Sequence, residues 1–226
     1  MYRSADSGRT WSEKISTGIK GHICPCIFKT KSGKIIIGAD RVGPRDNPEI
    51  IWIHNAFTSN DNGYTWSPMG HVCSRADLWL NEGTYVELDD GTLVCYLRED
   101  IKRDCGYKAI SKDGGQTWSG PYPTFLNSCV GRPQAGRLNS GEIAIVHGFQ
   151  RFTPPRNLVL HVETQEIAGD PDCVANHQNS SGHRYFFIDH DRSIHADGAY
   201  SGWVQRNSGD LFVVQYINDD SPYAHI

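Results

Sequence analysis

The sequence predicts an all-β protein, a β-propeller assembled from repeated four-stranded antiparallel units. Two interleaved repeats and the absence of any sustained helical periodicity predict it. The first repeat reads S-x-D-x-G-x-T-W and occupies residues 4–11, 59–66 and 111–118. The second is a polar turn closing on a glycine, at Gly33, Gly91, Gly141 and Gly209, each leading into an apolar run. Together they define a unit of about 50–60 residues, the length of one propeller blade.

Each part of the unit has a mechanical reason. In the first repeat, Asp6, Asp61 and Asp113 can accept backbone N–H bonds within their own turns. The glycine two residues on permits a left-handed backbone, and Ser and Thr hydroxyls can close the remaining local bonds. The tryptophan then packs the turn against a hydrophobic slot. A calcium loop is the rival, because Asp61-Asn62-Gly63 has its flavour. It fails on ligand count, since each box offers one carboxylate and no downstream glutamate at the required spacing. The second repeat reads as a hairpin turn followed by a buried strand, as in Asp89-Asp90-Gly91 before Thr92-Leu93-Val94-Cys95-Tyr96. The order is therefore strand, tight turn, strand, loop, strand, box, strand.

The chain opens on a box and then carries four hairpin repeats. Residues 1–226 are expected to form a single propeller domain of about four blades, the C-terminal portion of a larger ring. Closure with four blades is the alternative.

Composition narrows the function classes. The net charge is −4, with no Lys/Arg cluster of the kind a nucleic-acid face carries. No apolar run is long enough to cross a membrane, and residues 1–11 lack the apolar segment of a signal peptide. The seven cysteines are odd in number and include no C-x-x-C pair, so most are read as reduced core thiols. His177, His183, His190 and His195 lie near Asp189, Asp191 and Asp197, but their spacing matches no common metal motif. The reading calls for no metal and no cofactor. No Gly-rich phosphate loop and no G-x-S-x-G elbow occurs.

The three boxes resemble the Asp-box, or BNR, repeats of sialidases (neuraminidases), and the resemblance runs from Ser4 to about Ile217. Asn81-Glu82-Gly83-Thr84-Tyr85-Val86-Glu87-Leu88 resembles the family's E-P-S-V-V-E-L segment. Its glutamate partners the nucleophile, which implies that role for Glu82. The following strand ends in Arg98, where the family places a carboxylate-binding arginine. Ala199-Tyr200-Ser201 resembles the segment carrying the nucleophilic tyrosine, which implies Tyr200. For the next arginine, Arg156 in Pro154-Pro155-Arg156-Asn157 is the choice, with Arg151 and Arg132 as rivals. The resemblance implies a six-bladed sialidase-type propeller, incomplete in this chain. The implied activity is removal of a terminal sialic acid or related acidic sugar from a glycan. A non-catalytic carbohydrate- or protein-binding propeller, or an inactive fragment, is the alternative. Glycan is the expected partner, with no nucleic acid and no membrane. Relatives are often exported, and the compartment is left open.

The departures from the family pattern are specific. Gly83 and Thr84 replace its proline and serine. Its first arginine and its acid/base aspartate are expected in blades ahead of residue 4. The nearest look-alike, His22-Ile23-Cys24-Pro25 followed by Asp40-Arg41, has histidine where arginine should be and is assigned to a second or third blade. Glu163-Thr164-Gln165-Glu166 stands where a fourth box should.

A tyrosine nucleophile suits this substrate class. Sialic acid carries a carboxylate on its anomeric carbon, and a carboxylate nucleophile would be repelled by it, whereas neutral tyrosine is not. Tyrosine's high pKa then requires a neighbouring base. Arginines hold the substrate carboxylate through bidentate, charge-assisted bonds.

Overall fold

The computed structural model describes residues 1–42, 52–102, 104–129, 131–149, 157–190 and 198–217. Its strands fall into four antiparallel sheets. The first sheet contains β1 (His22–Lys29), β2 (Ile35–Val42), β3 (Trp52–Ser59) and β4 (Ser67–Cys73), paired in that order. The second repeats the plan with β5 (Leu80–Glu87), β6 (Leu93–Glu99), β7 (Cys105–Ser111) and β8 (Ser119–Asn127). The third consists of β9 (Gln134–Arg137), β10 (Ile143–Phe149), β11 (Asn157–Glu163) and β12 (His183–His190). The fourth, among the described residues, is the pair β13 (Gly198–Gln205) and β14 (Leu211–Ile217).

Local chemistry sets the two kinds of turn. In each of the four hairpins the glycine sits at φ between 86° and 99°, a region open to glycine without steric cost. Its N–H donates to the carbonyl three residues back: Gly33 to Thr30, Gly91 to Leu88, Gly141 to Leu138 and Gly209 to Arg206. The boxes at 59–66 and 111–118 join β3 to β4 and β7 to β8, and the box at 4–11 precedes β1. In the second box the Thr65 N–H donates to Asp61 Oδ1 at 2.9 Å, and the Gly63 N–H donates to Ser59 Oγ at 2.7 Å. The Trp66 indole N–H closes the turn on Gly63 O at 3.2 Å. The bond from threonine N–H to aspartate recurs at Thr10 to Asp6 and at Thr117 to Asp113. Trp118 packs edge-on against Tyr85 in the core, but Trp11 is exposed.

Successive sheets cover one another. On β6, Leu93, Cys95 and Leu97 pack towards Ile36, Ala56 and Val72 of the first sheet. Val94 and Tyr96, on the opposite face, pack towards Ile143 and Ile145 of the third. On β10, Ala144 and Val146 face Trp203, Leu211 and Val213 of the fourth. Side chains alternate along a strand, so a strand buried on both faces must read as a continuous apolar run. The runs at 93–97 and 143–146 do so. β14 alternates instead, with Phe212 and Val214 exposed.

The hairpin turns are tied in series. Lys31 reaches Leu88 O and Asp89, Asp89 pairs with Arg137, and Asn139 donates to Gln205 Oε1 and Arg206 O. The first strands of neighbouring sheets also touch, β1 with β5, β5 with β9 and β9 with β13.

Two short helices, α1 (Gln165–Gly169) and α2 (Cys173–Asn176), stand between β11 and β12, where a third inter-strand box would fall. At five and four residues they are too short to leave a periodic signature. Thr164 caps α1, and the buried Lys108 ammonium donates to Ile167 O at 2.6 Å and to Ala168 O at 3.0 Å. All seven cysteines are free, and six are buried.

Candidate active site

Strand direction brings the sequence-predicted residues to one end. Glu82 lies near the start of β5, Arg98 near the end of β6, and Tyr200 near the start of β13. That is the end opposite the hairpin turns and boxes. The Tyr200 hydroxyl donates to Glu82 Oε1 at 2.7 Å, across 118 residues of sequence. Arg98 Nη1 donates to Glu82 Oε2 and to the Tyr200 oxygen, both at 3.0 Å. Its Nε and Nη2 are held by Asp100 Oδ1 at 2.8 and 2.7 Å. Asn81 Nδ2 donates in turn to Asp100 Oδ2 at 2.9 Å.

Of the four residues singled out, the structure therefore joins Tyr200, Glu82 and Arg98 in one hydrogen-bonded cluster. Arg156 and its rival Arg151 lie outside the described residues. Arg132, the other rival, precedes β9 and stands over the Tyr200 ring at 5.6 Å. Its Nη2 donates to Ser201 O at 3.3 Å, while its buried Nε has no hydrogen-bond partner. Arg132, Tyr200, Ser201, Gln215 and Tyr216 line an open cleft of about 510 Å³. Tyr216 stacks on Tyr200 at 6.1 Å.

The electrostatics follow from burial and neighbours. Burial, reinforced by the Glu82 carboxylate, pushes the Tyr200 phenol up to about 12, while Arg98 pulls it part of the way back. Tyr200 is thus neutral at physiological pH and needs a base to ionise it. Burial would lower the Arg98 pKa, but the Asp100 and Glu82 carboxylates outweigh it and keep the guanidinium charged.

Glu82 adopts φ +52°, a left-handed backbone uncommon for a residue of its kind. That conformation costs about 1–2 kcal/mol without compensation. It falls where the β5–β6 register shifts, between Asn81 and Thr84. Such a bulge re-aims a side chain. The Glu82 N–H is satisfied by Asp40 Oδ2 at 3.0 Å. Asp40 is fully buried on β2, and its Oδ1 meets His54 Nδ1 at 2.6 Å. His54 Nε2 meets the Tyr85 hydroxyl at 2.8 Å, and Cys24 Sγ donates to Asp40 Oδ2 at 3.1 Å. In the sequence this group shows as the look-alike segment with Cys24 and Asp40 and as a lone aspartate ending the apolar run Ile35-Ile36-Ile37-Gly38-Ala39-Asp40, with nothing to mark His54. The look-alike segment that includes Cys24 and Asp40 forms β1 and β2 of the first sheet.

Among the described residues, Cys24, Asp40 and His54 are the group that brings three metal-capable side chains together. Their separations suit hydrogen bonds. Two ligands at zinc distances on a tetrahedral ion stand about 3.3 Å apart or more, whereas Asp40 Oδ1 and His54 Nδ1 are 2.6 Å apart. The later histidines have separate partners: His177 meets Asp170, His183 stacks on Phe125 at 3.9 Å, and His190 meets Asn157. His195, Asp191 and Asp197 lie outside the described residues.

Residues 1–170 match the family of BNR repeat-like domains. No protein of curated function matches the sequence. Solved structures similar to this chain include a protein of unknown function from Dyadobacter fermentans, with TM-score 0.70 and 18% identity. The match covers 96% of this chain and 62% of that one. The NanB sialidase from Streptococcus pneumoniae aligns with TM-score 0.58 and 17% identity, over 94% of this chain and 31% of that one. An α-L-arabinofuranosidase from Fusarium graminearum aligns with TM-score 0.59 and 17% identity, over 99% and 70%. At such identities the likeness is one of fold, and this chain spans less than two thirds of the first two structures. With three quarters of its length matched, the chain belongs to the BNR repeat-like domain family.

Proposed function

We propose that this chain contributes its sheets, as blades, to a six-bladed sialidase-type propeller. The serial ties between hairpin turns and the contacts between successive first strands support that arrangement. On this reading the end that carries Tyr200 is the catalytic funnel of a glycoside hydrolase. The reaction is removal of a terminal sialic acid, or a related acidic sugar, from a glycan. The observation that carries it is the 2.7 Å hydrogen bond from Tyr200 to Glu82, with Arg98 bonded to both.

The chemistry follows from those contacts. Tyr200 attacks the anomeric carbon, and its proton passes to Glu82, to which it is already hydrogen-bonded. Arg98 stabilises the charge that develops on the phenol and the carboxylate. Arg132, which lines the cleft beside Tyr200, binds the substrate carboxylate together with Arg156. The glycosidic bond breaks as the tyrosine–carbon bond forms, and the aglycone leaves with a proton from the general acid that the resemblance puts in a preceding blade. Water then displaces the tyrosine oxygen, which takes its proton back from Glu82.

A fluorogenic α-sialoside tests this. The folded protein should release the fluorophore, and Tyr200→Phe should reduce turnover by about 10³-fold or more. A folded protein that binds sialoside without turnover would leave the non-catalytic carbohydrate-binding reading in place.

A further inference from the structure

We propose that Asp40 and His54 are a buried positioning pair for Glu82. Asp40, clamped by His54, holds the Glu82 backbone in its left-handed bulge and so aims the Glu82 carboxylate at Tyr200. The inference rests on the reading of Glu82 as the partner of Tyr200 given above.

Four observations converge on it. The first is the Glu82 backbone itself, left-handed at φ +52°, with its N–H donating out of the strand ladder to Asp40 Oδ2. A long acidic side chain holds that conformation only where its surroundings fix it. The second is the burial of both members of the pair, neither of which exposes its side chain. Burial alone would raise the Asp40 pKa. The hydrogen bond and charge of His54, with the Glu82 amide and the Cys24 thiol, outweigh it and keep the carboxylate ionised.

The third is the fit around the imidazole. A Cβ on Gly38 would stand 2.6 Å from His54 Cε1, and one on Gly83 would stand 2.3 Å from His54 Nε2. Gly38 belongs to the same sheet as His54, and Gly83 to the next, directly after Glu82. The absence of side chains at both positions makes room for the ring between two sheets. The fourth is the Tyr85 hydroxyl, which meets His54 Nε2 from the strand that bears Glu82. A single chain of bonds therefore runs Tyr85–His54–Asp40–Glu82, leaving β5 and returning to it on either side of the bulge.

Asp40→Ser is the direct test, because serine is too short to span the 3.0 Å bond to the Glu82 amide. Asp40→Asn is the conservative rescue. The asparagine oxygen can still accept from the Glu82 N–H, while its amide donates to His54 Nδ1 once the ring proton moves to Nε2. Two readouts are taken. One is the Tyr200 phenol titration, isolated as the NMR signal of labelled tyrosine that Tyr200→Phe removes. The other is turnover of the α-sialoside.

In Asp40→Ser the Tyr200 titration should fall below about 12, because Glu82 no longer adds to the effect of burial on the phenol. Misplacing a base by about 1 Å costs on the order of 100-fold, so kcat should drop by that factor with KM little changed. Asp40→Asn should recover both readouts to within about 10-fold of the unmodified protein in kcat. A folded Asp40→Ser protein with both readouts unaltered overturns the proposal. If the Tyr200 titration falls but even the unmodified protein fails to turn over sialoside, the positioning pair stands and the hydrolase reading fails. If Asp40→Ser does not fold, amide exchange in the unmodified protein decides. Glu82 N–H protection equal to that of its ladder neighbours supports the pair, and exchange at the unprotected rate sinks it.

Discussion

Arg98 and Arg132 have the same side chain but different surroundings. Arg98 places one nitrogen between Glu82 and Tyr200 and gives the rest of its fork to Asp100. Its charge is already shared by two carboxylates, so on the proposed function it organises the tyrosine and its base rather than the substrate. Arg132 borders the open cleft and pairs with no carboxylate among the described residues, so its charge is left for an anion. The two should separate kinetically. On the proposed function, Arg132→Met removes charge-assisted bonds to the substrate and should raise KM by roughly 10- to 100-fold, with a smaller effect on kcat. Arg98→Met should act mainly on kcat. It should also move the Tyr200 phenol further above neutrality, because Arg98 is the group that lowers it. Steady-state kinetics on the α-sialoside with a parallel tyrosine titration checks both. Equal KM effects from the two variants would remove this division of labour.

At the scale of elements, what could be read in advance is what is settled locally. The boxes were legible because Asp61 bonds only to residues within its own turn. The hairpins were legible because one left-handed glycine closes each. Tyr200, Glu82 and Arg98 were legible only through resemblance, since the bonds joining them span 16 to 118 residues. Asp40 and His54 stayed hidden because their roles depend on a bulge in another sheet. The helices α1 and α2 stayed hidden because their support is tertiary. The C-terminal carbonyls of α1 are satisfied by Lys108 on β7, itself buried beside the charged Glu163. Lys108→Met keeps the volume but leaves two carbonyls and a carboxylate without their cation. It should cost about 3 kcal/mol in urea unfolding. A loss below about 1 kcal/mol would mean that α1 stands without the lysine.

At the scale of the whole molecule, each sheet completes the core of its neighbours, so polar groups buried between sheets set how the protein responds to acid. His147 lies on β10, buried between its neighbours. Burial drops its pKa from 6.5 to about 4, and its Nε2 has no partner. As pH falls from 6.5 to about 4, the unfolded chain takes up a proton here that the folded one refuses, so stability must decline across that window. A second decline, from exposed carboxylates of the boxes rather than from groups between sheets, follows at lower pH. Asp6 and Asp113 are held near 2, chiefly by bonds from Thr10 and Thr117, so their contribution is present above 3.8 and fades as pH falls towards 2. The first window can be isolated. His147→Leu removes the titrating ring, so the stability of the unmodified protein relative to the variant should worsen by about 3 kcal/mol from pH 7.5 to pH 4. Urea unfolding of both proteins at those two pH values measures it. A difference that stays constant with pH would show that residue 147 already carries its proton inside the fold, and that the space between the third sheet and its neighbours is wetter than its apolar lining implies.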